Sequence, residues 1–561
     1  MAKDRLVIAI DYGTTFTGVA FCHRDLGTLP VLQAIHLITD WPGQRLNATN
    51  EKVPSQIAYF DGGFEWGNRI RPRTRREAWT KLLLDEKETR KLAVDLLTGN
   101  NNDDGSPPPY PGKPPVEIAG DFLSGVKKHL EDSLKTRYGK IASLFERDIV
   151  ITVPAVWSDR AKDLTCQAVS RAGFHDANTT ISIITEPEAA AIYALKEMRE
   201  GPFSHISVGD NFIVCDAGGG TVDLISYKVD SIAPAFKVTE AALWLKRKLG
   251  DKNFKKIKED KLLAGSKLMT DFEFIKAAFC GDNLQFYISL PHEVGIVDDE
   301  ELGIADQEVR LGPDDVQSIF DPCVHRVLTL IDGQINEVTS KGGKVKYVLL
   351  VGGFGMSDYL YRRIKDHCGK ASIEAIRPTH PWSAVVRGAL LQRLDTPSQN
   401  LVQVRLCRRY YGTSVLELFD KDRHSEADMF MYPNTNDIYA KGCMKWLLSK
   451  GDALPISKRK KAFINVSDIF RKDEPRISHA TLWAYDGDNP PLREKDGPYK
   501  VCVLAADLSN VPEDKFEKAG KEGDEMAIVT FKIEITIEDS MFEFRILFDD
   551  QEYGSVRGEY V

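Results

Sequence analysis

Two stretches of this chain set an acidic residue between an apolar run and a turn rich in glycine and threonine. That grouping suits phosphate chemistry. The later stretch, 212–227, reads FIVCDAGGGTVDLISY. Phe212-Ile213-Val214-Cys215 is predicted as a short buried strand, with Asp216 where the run ends. Gly218, Gly219 and Gly220 follow, then Thr221, then a second strand over 224–227. A turn without Cβ atoms lets backbone N–H groups approach a phosphate closely. A plain glycine-rich hairpin accounts for the same residues. The earlier stretch repeats the layout: an apolar strand over 6–10, a tight turn Asp11-Tyr12-Gly13-Thr14-Thr15, and a strand over 16–21. The repetition points to two similar halves facing one ligand. Asp11 and Asp216 offer the hard oxygen ligands that suit a hydrated Mg²⁺. Thr14, Thr15 and Thr221 can donate hydroxyls to phosphate oxygens.

Other elements must position these turns. Residues 53–59, with Pro54 near the start, are predicted as an edge strand. Residues 69–91 are charged and read as mostly helical, 97–115 as a loop, and 119–138 as an amphipathic helix. A strand over 148–153 ends at Pro154, and Ser158 or Asp159 caps a helix running to 172. A strand over 181–185 delivers Glu186, with Pro187 in the first turn of the next helix. A carboxylate at a strand's C-terminal end is a common catalytic placement; complementing the helix dipole is the alternative role. A strand over 345–351 leads into Gly352-Gly353-Phe354-Gly355, and Ser357 or Asp358 caps the helix after it. That is a nucleotide-contact geometry. A last helix covers 384–394.

Bulk properties narrow the class. The 561 residues suffice for about three to four domains. A formal charge of -9 argues against nucleic acid as a partner. No apolar run reaches membrane-spanning length, and the apolar start at 6–10 is too short for a signal peptide. Nine scattered cysteines without a Cys-x-x-Cys pair fit a reducing, cytoplasmic setting and argue against a disulfide or zinc framework.

Five segments, DYGTTFTG, TVPAVWSD, TEPEAAA, CDAGGGTVD and LVGGFG, stand in one order. Together they resemble the ATPase domain of the 70-kDa heat-shock proteins, and in particular their divergent type-12 branch, over about residues 5–395. The resemblance implies an α/β fold: a two-lobed, actin-like ATPase domain with duplicated ribonuclease-H-like cores, closing on Mg-ATP. It implies that Asp11 and Asp216 orient Mg²⁺ and the attacking water, with Glu186 near that water and Lys81 as the catalytic lysine. Gly13, Thr14, Thr15, Phe16, Gly218, Gly219, Gly220 and Thr221 would hold phosphates. Gly352, Gly353 and Phe354 would lie along the adenosine, and Glu273 and Lys276 on a helix contacting the ribose. Pro154 matches an interdomain switch proline. Hydrolysis would be in-line transfer to water.

The chain departs from the family pattern in places. Where the family has a glycine-rich nucleotide loop, Leu243-Trp244-Leu245-Lys246-Arg247-Lys248 runs into helix-like sequence before Gly250-Asp251. Ala277 replaces an adenine-stacking arginine, and Trp382 an acidic residue, where it could stack on adenine. ATP or ADP binding is expected, with slow or absent turnover.

Residues 396–400 read as a linker and 401–561 as a β-rich substrate- or partner-binding domain without a helical lid. Val529, Phe531, Ile533, Ile535 and Ile537 alternate with polar residues, and Phe542, Phe544, Ile546 and Phe548 do so after a turn. Lys458-Arg459-Lys460-Lys461 reads as a solvated loop. By resemblance, partners would be extended or unfolded polypeptides, co-chaperones or nucleotide-exchange factors. Two functions follow: an ATP-dependent chaperone-like enzyme, or a nucleotide-gated interaction protein without useful hydrolysis. A sugar kinase of the same superfold fits the segment order and the β-rich end less well.

Overall fold

The computed structural model describes residues 5–23, 31–44, 49–71, 74–85, 113–176, 178–200, 211–218, 222–226, 229–233, 239–258, 261–262, 266–394, 404–431, 438–455, 460–471, 474–519, 526–538, 541–548 and 551–560. The chain divides into two compact units, Met1–Thr396 and Pro397–Val561.

The first unit is built on two sheets of one topology. In the first, β1 (Arg5–Tyr12), β2 (Phe16–His23), β3 (His36–Leu37), β4 (Glu146–Val153) and β5 (Thr179–Thr185) lie in the order β3-β2-β1-β4-β5. In the second, β6 (Asn211–Ala217), β7 (Val222–Ser226), β8 (Val229–Ala233), β9 (Val345–Val351) and β10 (Glu374–Ile376) lie in the order β8-β7-β6-β9-β10. The first two strands of each are antiparallel, and the last two run parallel to the first. The central strands read as near-continuous apolar runs because helices cover them, and 6–10 are fully buried.

Eight α-helices occur among the described residues: α1 (Pro115–Tyr138), α2 (Asp159–Arg171), α3 (Glu186–Glu200), α4 (Thr239–Phe254), α5 (Lys267–Ala278), α6 (Pro313–Ser340), α7 (Asp358–Gly369) and α8 (Ala384–Leu394). None is long and apolar enough to cross a membrane. Helices α3 and α8 lie across the two halves. Helix α3 follows the first sheet but also packs on β6, β7 and β9, while α8 follows the second and packs on β1, β2 and β4. They cross at Gly388, where a Cβ would fall 1.7 Å from the Ala189 carbonyl oxygen. Ala189, Ala190 and Ala191 are fully buried there. Only the absence of a side chain lets the two backbones meet.

Several elements differ from the sequence expectation. Both aspartates lie within their strands, one residue before the end, because β1 runs on to Tyr12 and β6 to Ala217. The described part of 69–91 is not helical. It holds a short strand, Glu77–Ala78, and one 3-10 turn, Leu82–Leu84. Thr80 and Lys81 are buried against Tyr12 and Glu186, and Trp79 just before them has a φ of 59°, which cannot continue a helix. Helix α1 begins at Pro115, a start favoured by proline's fixed φ. Ser158 and Ser357 are the caps of α2 and α7, each accepting a backbone N–H. The expected edge strand 53–59 is split at Ser55 into Val53–Pro54, paired with β2, and Gln56–Phe60, which belongs to another sheet.

The second unit is dominated by an antiparallel sheet in which Met429–Met431, Ile438–Leu448, Tyr410–Leu418, Ile477–Tyr485, Tyr499–Asp507, Gln551–Tyr560, Met541–Phe548, Met526–Glu538 and Lys460–Arg471 are successive neighbours. The expected hairpin is the pair Met526–Glu538 and Met541–Phe548, with Ile533 opposite Ile546 and Ile535 opposite Phe544. Its inward residues Val529, Phe531, Ile533 and Ile535 are buried with Ile546 and Phe548. Of the expected solvated loop, Lys458 and Arg459 lie outside the described residues. Lys460 and Lys461 instead open a strand, held by Asp452 and Glu534 at 2.6 and 2.8 Å.

Candidate functional site

Asp11 lies opposite Gly18 across β1 and β2, and Asp216 opposite Asp223 across β6 and β7. In each sheet the aspartate therefore sits at the same place on the same central strand, next to the turn of a hairpin. The turn after Asp11 holds Gly13, Thr14, Thr15 and Phe16. Gly13 donates its N–H to the Asp11 carbonyl at 3.0 Å, and a Cβ on it would fall 2.3 Å from the Phe16 carbonyl oxygen. Ser55 braces the turn, with its backbone N–H on the Thr15 carbonyl at 2.8 Å and its hydroxyl on the Gly13 carbonyl at 2.7 Å. Thr14 is buried.

Side chains from four elements converge on Asp11, which is 3% exposed. Lys52 Nζ donates to Oδ2 at 2.5 Å, and Thr152 Oγ1, from β4, donates to Oδ1 at 2.9 Å. Burial would raise the Asp11 carboxyl, but Lys52 and Lys81, with the hydrogen bonds from Lys52 and Thr152, hold it below the usual carboxylate range. Lys81, 2% exposed, pairs with Glu186 at the first residue of α3 and lies 5.5 Å from the centre of the Trp157 ring. Burial pushes the Glu186 carboxyl up against the pull of Lys81, and the Asp11 charge adds to the rise. The structure thus joins Asp11, Lys81 and Glu186, three residues expected to act together. It adds Lys52 and Thr152, which the sequence reading missed. Thr152 had a signal: it is the one hydroxyl in the buried run of β4. Lys52, in Asn50-Glu51-Lys52, looks like any solvated polar run.

The second half is completed differently. Gly352, at φ 89°, turns the chain after β9, and a Cβ there would fall 2.3 Å from Asp216 Oδ1 and 2.4 Å from the Ala217 carbonyl oxygen. Gly352 donates to the Pro381 carbonyl at 2.9 Å. Gly353 faces Trp382, whose ring meets Phe16 edge-on at 5.5 Å. Trp382 therefore packs on the first hairpin's turn through this edge-on contact, and its ring is half-buried. The two glycines lead into a 3-10 turn, Phe354–Met356, and the α7 N-terminus comes only at Asp358. Phe354 is fully buried against Phe320, so its ring belongs to the core and not to a ligand surface. Lys276, on α5, lies 5.7 Å over that ring. Gly218 is half-buried at the end of β6. Gly219, Gly220, Thr221 and the Glu273 side chain lie outside the described residues.

Helix α4 covers the stretch where a glycine-rich loop would be expected by resemblance. Trp244, Leu245 and Leu249 are buried in the core of the second half, and Trp244 Nε1 donates to Asp315 at 3.3 Å. The helix breaks at Gly250, whose φ is 72°.

A separate group in the second unit, Glu417, His424 and Cys443, brings ligand atoms within 4.8 Å of one another. Its hydrogen bonds oppose a metal. His424 Nδ1 accepts the Asp420 backbone N–H at 3.0 Å, which keeps the ring proton on Nε2, the atom facing Glu417 and Cys443. Arg493 Nη1 lies 2.7 Å from Cys443 Sγ, so a cation is already in place.

Comparison with known proteins bears on these assignments. The family model described as Hsp70 protein matches residues 85–394, a span that includes Glu186, Asp216 and Gly352. The chain is 24% identical to Heat shock 70 kDa protein 12A of Homo sapiens, covering 77% of this chain and 75% of the relative. It is 22% identical to human Heat shock 70 kDa protein 12B, covering 75% and 73%. It is 28% identical to the Chaperone protein HscA homolog of Acinetobacter baylyi over 40% of this chain and 32% of that protein. With a family match over more than half its length, and the aspartate hairpins, Glu186 and the paired glycines in the expected order, the chain belongs to the Hsp70 protein family.

Proposed function

We propose that the first unit is a two-lobed, actin-like domain that binds ATP or ADP with Mg²⁺ between the two aspartate hairpins. Occupancy would regulate what the β-rich second unit binds. The observation that carries this reading is the repeated topology: Asp11 and Asp216 stand at equivalent strand ends, and the chain at Gly352 closes directly on Asp216 Oδ1 and the Ala217 carbonyl oxygen, as only glycine permits. In this reading the turns at 13–16 and 218–221 hold phosphates, and Gly352 and Gly353 lie along the nucleoside. Pro154, at the end of β4, would couple the lobes.

Fit to Mg²⁺ differs between the halves. Asp216 is buried against Gly352, and its carboxylate is a hard donor of the kind Mg²⁺ takes. Asp11 has both oxygens engaged by Lys52 and Thr152, so the two-aspartate metal site expected from sequence does not fit as such. When bound, Mg²⁺ would neutralise phosphate charge. Lys81 would hold Glu186 beside the first hairpin, and the raised affinity of Glu186 for a proton suits a base that accepts one from water.

The second unit would take extended polypeptides on its strands, without a helical cover, as strand addition allows. The HscA relative is named a chaperone, which supports polypeptide clients and co-chaperones as partners. A second reading, nucleotide-gated interaction without turnover, is favoured by α4 standing where the loop would be. Calorimetry of the full chain with Mg-ATP and Mg-ADP, paired with a phosphate-release assay on wild type and Asp216→Asn, tests both. Micromolar binding with release lost in the variant supports the enzyme, and binding without release supports the gate. Heat-silent titration to millimolar nucleotide, with no shift in melting temperature, sinks the proposal.

A further inference from the structure

The Lys52–Asp11 contact has the features of a built cation site. Lys52 is 7% exposed and Asp11 3%. Gly18, opposite Asp11 on β2, makes room for the lysine stem: a Cβ there would stand 3.1 Å from Lys52 Cγ and 3.4 Å from Cε. Lys52 directly precedes Val53, which pairs with Thr17 on the same strand, so its backbone is tied to the hairpin it serves. Thr152 takes the second carboxylate oxygen. Nothing about this arrangement resembles a surface ion pair with two free side chains. The carboxylate, the ammonium stem and the space for it come from three strands of one sheet.

We propose, resting on the nucleotide-binding reading above, that Lys52 is the resident cation of the first hairpin. Its ammonium neutralises Asp11 where a bound metal would otherwise do so, and makes nucleotide binding by this chain nearly independent of divalent ions. An ammonium carries three N–H donors, and Asp11 takes one. The others are suited to oxygens of a phosphate held by the neighbouring 13–16 turn. A covalently tethered cation needs no filling from solution, so the phosphate side of the site is charged before any ligand arrives. Unlike a hydrated metal, it also brings no exchangeable water to Asp11.

The test measures ADP affinity of the full chain by calorimetry, in Mg²⁺ and in EDTA, with melting temperature followed in parallel. Wild type and Lys52→Arg are expected to weaken by no more than about threefold in EDTA, and Lys52→Gln by about thirtyfold or more. Because Lys52→Gln leaves a buried carboxylate uncompensated, the double variant Asp11→Asn/Lys52→Gln removes both charges and is expected to be equally dependent on Mg²⁺. Mg²⁺ alone should raise the melting temperature of Lys52→Gln but not of wild type. A thirtyfold loss for wild type in EDTA overturns the inference while leaving nucleotide binding intact. Failure of every protein to bind ADP even with Mg²⁺ overturns both.

Discussion

Asp11 and Asp216 occupy matching positions in sheets of one topology, yet their surroundings are opposite in kind. Around Asp11 the space is filled by side chains: Lys52, Thr152 and, just beyond, Lys81 with Glu186. Around Asp216 it is closed by backbone, with Gly352 directly against Oδ1 and the Ala217 carbonyl oxygen. The strands that repeat set where each carboxylate stands, and the connections that do not repeat decide its chemistry. Lys52 and Lys81 come from the connection between β3 and α1. The matching connection after β8 carries α4 and α5 instead. One half packs charged side chains on its aspartate, and the other packs a glycine backbone on its own.

The contrast can be broken most severely on the glycine side. Gly352→Val adds a branched side chain at positive φ, into contact with Asp216 and Ala217. It is expected to destabilise the first unit by more than about 4 kcal/mol, seen as a lower denaturant midpoint. A variant that melts like wild type would mean that the close approach of Gly352 to Asp216 does not require glycine. On the filled side, Asp11→Asn leaves the Lys52 ammonium buried without its counter-charge, for a loss of about 3–5 kcal/mol. Asp11→Leu/Lys52→Met should recover most of that stability, because removing a whole buried pair is often nearly neutral. If single and double variants melt alike, the pair is not what stabilises the hairpin.

The smallest effect lies in pH dependence. The folded Glu186 carboxyl titrates above its unfolded value of 4.5, so it stabilises the fold where protonated and loses that contribution as pH rises from 4.5 through the folded value. Asp11 has the opposite sign: its contribution is present above 3.8 and lost as pH falls through its lower folded value. Glu186→Gln should therefore gain on wild type as pH rises above 4.5, in melting curves taken across that range. A constant offset between the two would remove Glu186 from the account.

The two hairpins were legible in the sequence because each is local: an apolar run, an aspartate and a turn within a dozen or so residues. So were the caps Ser158 and Ser357 and the alternating hairpin of the second unit, whose periodicity matches its burial from Val529 to Ile533, beyond which the polar Glu534 and Thr536 are buried as well. What was not legible depended on long-range contacts. A charged run such as 69–91 gives no local sign that Thr80 and Lys81 will be buried against Tyr12 and Glu186, and burial overrode the helical reading. Lys52 pairs with a residue 41 positions away, which no spacing rule reaches. Phe354, beside two glycines suited to a ligand, went to the core because its ring had Phe320 to pack on.

The crossing of α3 and α8 has a mechanical consequence. At Gly388 and Ala189 the two helices touch backbone to backbone, with no side chain between them to slide over or rearrange. Translation along either axis would drive larger residues into a gap that accepts only hydrogen. Rotation about the point of contact leaves the gap as it is. The joint therefore resists sliding of one helix along the other more than a change of the angle between them.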